Sequence, residues 1–275
     1  MNAPRSRFVE GSPRLHYLEW NEGGTVALVL LHGNSANAWW WRPLADAMRG
    51  ADTRLLALDL RGHGDSEWVR PPAYAPANYA DDLARFIKHL KLDRPVVVGH
   101  SMGGISTLAF LLRHPGQVRA GVAIDVAVTS NLRRNRYLYR LKSLPIVSYP
   151  DCETAKARFR LMPAEGAVAP EVLSEIAERS LAQRDDGRYT LKFDRDTFFG
   201  SDGIDVLDAI RRIRVPLLLV RAGFSRIMNA EAAAAAAASN ERVQLITIPQ
   251  THHHVLLERP DLLAHAIRDF LTGRG

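Results

Sequence analysis

One serine stands among glycines in RPVVVGHSMGGIS, residues 94–106, where a β-branched run (Val96, Val97, Val98) gives way to helix-like apolar spacing in ISTLAFLLRHP. Gly99, His100, Ser101, Met102 and Gly103 fit G-x-S-x-G in the context that pattern requires, after a buried strand and at the opening of a helix. The glycines are a steric need, because a strained turn that lifts the serine Oγ above a sheet has no room for flanking side chains. A serine so placed is a nucleophile for acyl transfer, and it needs a base, an acid and donors for the oxyanion that forms. One donor is the backbone N–H of Met102, at the start of the helix. The second must come from a loop after an earlier strand, and LLHGNSAN (30–37) has that shape, which assigns the N–H of Asn34. The Asn34 side chain reads as a cap on its own turn. Three consecutive histidines, His252, His253 and His254, follow the last strand-like run. Neighbours on an extended loop point to different sides, so one of the three can reach Ser101. A metal site is the competing reading of the three, but consecutive residues make poor joint ligands without a His or Cys elsewhere to complete the set.

Elements of a definite kind must position these groups. RFVEG and RLHYLEW predict an opening hairpin with Gly11 and Ser12 near its turn. TVALVLLHG (25–33), TRLLALDLRGHG, RPVVVGH and VRAGVAIDVA (118–127) are continuous apolar runs, as expected of strands buried on both faces. Helical spacing separates them, in AWWWRPLADAMRG and in NYADDLARFIKHLKL (78–92), where positions 83, 86, 87 and 90 share a face. From about 128 to 205 the rhythm changes to arginines, scattered prolines and short amphipathic pieces such as PEVLSEIAERSLAQR, which predicts a mostly helical insertion. The strand–helix rhythm returns with VPLLLVRAG (215–223), the alanine run 232–238, RVQLITIP (242–249) and a closing helix in DLLAHAIRDFLT. Strands alternating with helices predict an α/β protein with a mostly parallel twisted sheet covered on both faces.

The pieces HGNSAN, LDLRGHGDS, VVVGHSMGG, VPLLLVRAG and THHHVLLERP together resemble the α/β-hydrolase fold superfamily, in its serine-nucleophile, esterase-like branch, over nearly the whole chain. The resemblance implies a core domain of residues 1–127 and 206–275, with 128–205 as a mainly helical cap (lid) over the site. It implies that His63, Asp65 and Ser66 belong to a structural turn. It places the base five residues before Glu258, at His253, and leaves His252 and His254 to packing or support; His252 stands where the family usually carries glycine. The acid is the departure. The usual position, in the loop after VPLLLVRAG, falls on Arg226 or Ser225, and neither holds an imidazolium as a carboxylate does. Glu231 lies further on and begins the alanine helix. Some members place their acid after the strand that here reads GVAIDVA, and a carboxylate within an apolar strand calls for a partner. The expected triad is therefore Ser101, His253 and Asp125. A serine nucleophile argues against epoxide hydrolases and haloalkane dehalogenases, which resemble this chain but use aspartate.

The reaction expected is hydrolysis of a carboxylic ester, with a small-molecule substrate bearing an acyl or ester group and no metal or organic cofactor. Carbon–carbon bond hydrolases, lactonases, thioesterases and cofactor-free perhydrolases share these features. A receptor or scaffold with vestigial chemistry is the alternative from another class. Trp39 and Trp40, just after the oxyanion loop, and His100, beside the serine, are the candidate substrate-binding residues. Lys and Arg number 36 against 30 Asp and Glu, a net charge of +6. The basic runs NLRRNRYLYRLK and AIRRIRV are interleaved with apolar residues and carry no zinc-finger, RNA-recognition or basic-heptad spacing. They read as helices turning arginine to solvent, with Arg133, Arg134, Arg136 and Arg140 the alternative contacts for an anionic substrate. No nucleic-acid or membrane partner is expected. One cysteine, no apolar leader and no membrane-length apolar run fit a cytoplasmic protein.

Overall fold

A computed structural model of the protein describes residues 3–50, 52–129, 132–198 and 203–273. The chain opens with β1 (Arg5–Val9), β2 (Leu15–Trp20) and β3 (Val26–Leu31), followed by α1 (Arg42–Ala47), β4 (Thr53–Leu58), α2 (Pro76–His89), β5 (Val96–His100), α3 (Met102–Arg113) and β6 (Ala120–Ile124). Next come α4 (Leu132–Ser143), α5 (Cys152–Arg158), α6 (Pro170–Arg179), β7 (Leu181–Gln183) and β8 (Tyr189–Leu191). It closes with α7 (Val206–Arg212), β9 (Leu217–Ala222), α8 (Ala230–Ala238), β10 (Val243–Ile248), α9 (Val255–Glu258) and α10 (Pro260–Thr272).

One eight-stranded sheet runs in the order β1-β2-β4-β3-β5-β6-β9-β10. The first two strands pair antiparallel, as the opening hairpin predicts, β2 also pairs antiparallel with β4, and every other pairing in this sheet is parallel. Continuous apolar strands form its centre because both faces are covered. Val29, Leu31, Leu56, Leu58, Val97, Leu217 and Leu219 point into one core with α2, α3, α7 and α8. Their neighbours Leu28, Leu30, Leu55, Ala57, Val96, Val98, Leu218 and Val220 point into the other, with α1, α9 and α10. Each fully buried aliphatic side chain contributes about 2 kcal/mol by removal from water. The order of strands also locates a crevice. From β3 the chain moves out to β4 on one side and then returns to β5 on the other, so the loops at the carboxyl ends of β3 and β5 diverge.

Two expectations differ in detail. The helix predicted over 78–92 begins at Pro76, which suits a first turn because it lacks an N–H, and ends at His89 before Lys91 takes a positive φ of 52°. The segment 128–205 is not wholly helical, since β7 and β8 pair antiparallel within it. That segment is bonded to the crevice loops at several points. His63 bridges Phe193, Tyr74 Oη donates to Asp194 at 2.6 Å, and Asn37 Nδ2 donates to Ser180 Oγ at 3.1 Å.

Candidate active site

Ser101 sits between β5 and α3 with φ 53° and ψ −115°, a strained conformation for a residue with a side chain. Its neighbours hold it there: the Ser101 N–H donates to the Ile124 carbonyl at 2.9 Å, and its own carbonyl accepts from Ile105 N at 3.0 Å. A Cβ on Gly99 would lie 2.2 Å from the Gly103 carbonyl oxygen, and one on Gly103 would lie 2.2 Å from that of Leu31. Glycine at both positions is what lets α3 start this close to the sheet. Met102 is the first residue of the helix, so its N–H has no intrahelical partner. The loop after β3 carries Asn34 to the same crevice, and both residues line one cavity with Ser101.

The Asn34 side chain does something other than cap its turn. Its Nδ2 donates to the Thr197 carbonyl at 2.8 Å and so ties the loop to the segment 128–205. The expected cap does not form, because Oδ1, the atom that would accept from the turn, is buried without a hydrogen-bond partner among the described residues. The true local cap is Asn37, whose Oδ1 accepts from Trp39 N at 3.0 Å.

The three histidines part company, with His253 and His254 in a turn that leads into α9 rather than on an extended loop. His253 Nδ1 lies 2.8 Å from Asp125 Oδ2, and both side chains are buried. His252 turns to Glu258, whose carboxylate also accepts from the His252 N–H at 3.1 Å. His254 Nε2 donates to the Pro163 carbonyl at 2.9 Å while its ring packs against Trp40. His253 also lines the cavity with Ser101. A proton on Nδ1, donated to the carboxylate, leaves Nε2 of His253 with the lone pair.

Asp125 follows β6 directly, with φ 47°. Burial pushes its carboxyl above the usual carboxylate range, opposed by hydrogen bonds from the Ala222 N–H and the Ser225 hydroxyl. Ser225, at the position where the resemblance expects an acid, thus donates to one instead, over 2.8 Å. Nothing in the sequence pattern signals that contact, since β6 and the loop after β9 are distant in the chain. Arg226, the other residue at that position, points to solvent near Glu165, and Glu231 lies in the first turn of α8.

The cavity measures about 660 Å³. Beyond the residues already named, its wall is mainly apolar and aromatic, with Tyr74, Tyr79, Ile105, Met162, Phe198 and Ile227 contributing. None of these was legible as a site residue, because each looks like ordinary core in sequence. Trp40 lines the cavity. Trp39 does not; the Arg179 guanidinium lies 4.1 Å over its ring and it packs against the core beneath. His100 lines the cavity and donates from Nε2 to the His253 carbonyl at 2.8 Å, and burial pushes it well below its ordinary range. Burial likewise holds His254 at about 4, so both rings flanking His253 are neutral at pH 7.

His63, Asp65 and Ser66 form a turn after β4, braced on Asp59. Ser66 Oγ donates to the Asp59 carbonyl at 2.6 Å, and Asp65 N donates to Asp59 Oδ2 at 2.9 Å. His16, Asp59 and Asp65 are the one metal-type grouping among the described residues. Its atoms are already engaged, with His16 Nδ1 on Asp59 Oδ2 at 2.7 Å and Lys192 on Asp65 at 2.7 Å, so it braces the turn. Arg136 and Arg140 on α4 are exposed, and the side chains of Arg133 and Arg134 lie outside the described residues. Among the described residues no helix is long and apolar enough to cross a membrane.

Known proteins share this architecture. The chain is 25% identical over 269 residues to a 2-(acetamidomethylene)succinate hydrolase of Mesorhizobium japonicum, covering 91% of this chain and 89% of that one. It is 24% identical over 262 residues to an esterase of Mycobacterium tuberculosis, covering 94% and 86%. The solved structure of an E-2-(acetamidomethylene)succinate hydrolase superposes with a TM-score of 0.82 at 25% identity, covering 98% of this chain and 99% of that one. Residues 28–266 match the profile of the alpha/beta hydrolase family, and with the sheet order and the loop-borne site already described, the chain belongs to that family of hydrolases.

Proposed function

We propose that the protein is a serine hydrolase acting on carboxylic esters through Ser101, His253 and Asp125. The observation that carries the reading is the 2.8 Å contact between His253 Nδ1 and Asp125 Oδ2, buried beside a cavity that Ser101 also lines. Ser101 Oγ attacks the acyl carbon as His253 Nε2 takes its proton. Asp125 accepts from Nδ1–H, fixes the tautomer and offsets the charge of the imidazolium. The N–H groups of Asn34 and Met102 receive the oxyanion. The carbon–oxygen bond to the leaving group then breaks as His253 returns the proton to that oxygen, which leaves an acyl-enzyme. Water attacks the acyl carbon, giving one proton to His253; that proton passes to Ser101 Oγ as the carboxylic acid departs.

Residues 128–205 serve in this reading as the lid. Asn34 and Asn37 of the oxyanion loop bond to Thr197 and Ser180 within it, and Met162, Thr197 and Phe198 contribute wall to the cavity. Trp40 and the apolar wall suit an uncharged acyl group, and His100 holds the His253 backbone. The relatives named for hydrolase and esterase activity support the class of reaction. Exposure to a fluorophosphonate probe is expected to label the wild type at Ser101, and Ser101→Ala is expected to abolish both labelling and hydrolysis of short p-nitrophenyl esters. A wild type that neither labels nor cleaves such esters would overturn the proposal.

A further inference from the structure

Ser225 has one hydroxyl proton and two lone pairs, and the structure accounts for all three. Its Oγ accepts from the N–H groups of Ile227 at 3.1 Å and Met228 at 2.8 Å. With both acceptor directions spent on its own loop, the proton has Asp125 Oδ2 as its partner, at 2.8 Å. That same oxygen faces His253 Nδ1, whereas Oδ1 accepts from Ala222 N at 3.1 Å. The carboxylate is thus held at both oxygens from the loop and strand end of β9, although its own backbone belongs to β6.

We infer that Ser225 is a positioning residue, whose hydroxyl aims the Asp125 carboxylate at His253 and spreads its charge; the inference rests on the reading of Asp125 as the acid. Two separate consequences follow from removing that donor. The carboxylate loses one of the bonds that fix its rotation, so His253 is oriented less well and kcat falls. The charge left on Oδ2 is also less dispersed, so it holds the imidazolium proton more strongly, and the enzyme loses activity at a higher pH on the acid side. Ser225 is absent from the cavity wall among the described residues, and its one link to that wall is the bond from Ile227 N, so the main effect is expected on kcat and the pH profile rather than on KM. The other groups packed against the pair do not imitate this effect: His100 and His254 are kept neutral by burial, and Arg221 supplies a guanidinium from β9.

The rival role for Ser225 is to close the loop over residues 222–228 and nothing more. Such a role would lower the thermal midpoint of Ser225→Ala while leaving the pH profile in place. The test is the pH dependence of kcat and kcat/KM on a short p-nitrophenyl ester for wild type, Ser225→Ala, Ser225→Cys, Ser225→Thr and Asp125→Asn. Ser225→Ala is expected to lose about tenfold in kcat with KM unchanged, and to shift the acid limb up by about half a pH unit. Ser225→Thr, which keeps the hydroxyl, is expected to recover the wild-type acid limb. Should Ser225→Ala not fold, Ser225→Cys carries the test: a thiol is a poor donor of similar size, and the same upward shift is expected. An unmoved acid limb and unchanged kcat in Ser225→Ala or Ser225→Cys, with Asp125→Asn inactive, overturn the role of Ser225 and leave the acid in place. Wild-type rates in Asp125→Asn overturn the acid, and the inference with it.

Discussion

At the scale of single residues, the site depends on conformations that most side chains avoid. Ser101 and Asp125 both have positive φ, and each is pinned by a backbone bond to a neighbouring strand: Ser101 N to the Ile124 carbonyl, and Asp125 N to the Val220 carbonyl. Strain of this kind costs about 1–3 kcal/mol per residue and persists only where the surroundings over-determine it. The glycines make room for it. Gly99→Ala would drive a methyl into the Gly103 carbonyl oxygen, which belongs to the backbone of α3 and cannot swing aside. We expect that variant to lose about 2–3 kcal/mol in urea denaturation, together with most of its hydrolase activity. Unaltered stability would mean that α3 does not abut β5 as described.

At the scale of elements, much of the fold was legible because buried parallel strands announce themselves. Val26–Leu31 and residues 96–99 and 217–220 are apolar without alternation, and a sheet covered on both sides accommodates that. The strand β5 and the glycines after it located Ser101, whereas the three histidines separate in a turn into α9 rather than along the extended loop expected. Other features left no trace. The strands β7 and β8 have three residues each, too few for alternation to register against the helical piece before them. Trp39 and Trp40 are adjacent and chemically alike, yet one faces the cavity and the other lies under Arg179. The side chains of Asn34 and Ser225 find partners 163 and 100 residues away, contacts set by the packing of elements rather than by local sequence. A serine in the usual place of an acid donates instead to the Asp125 carboxylate, which follows another strand.

At the scale of the whole molecule, buried imidazoles make stability depend on pH. Burial holds His63 at about 3 and His254 at about 4, and lowers His32 and His100 as well. For each, the folded value lies below the unfolded one, near 6.5, so the unfolded chain takes up protons first as pH falls. Their contribution is complete above about pH 6.5 and is lost progressively as pH falls, down to about 4 for His254 and about 3 for His63, and amounts to about 2 kcal/mol for His254 alone between pH 7 and 5. Asp125 acts in the opposite sense, since burial raises its value in the fold and protonation relieves a buried charge. Four imidazoles outweigh one carboxyl, so the urea midpoint is expected to fall from pH 7 to 5, and a flat midpoint would contradict the burial of these rings. In the proposed reaction all three scales meet, because a nucleophile on one loop, a base on another and an acid after β6 must act as one unit. Measuring kcat/KM for Asp125→Asn on a short p-nitrophenyl ester, with its fold checked by circular dichroism, tests it most directly. The account predicts a folded protein with activity reduced by about ten-thousand-fold; a folded variant within threefold of wild type would contradict it.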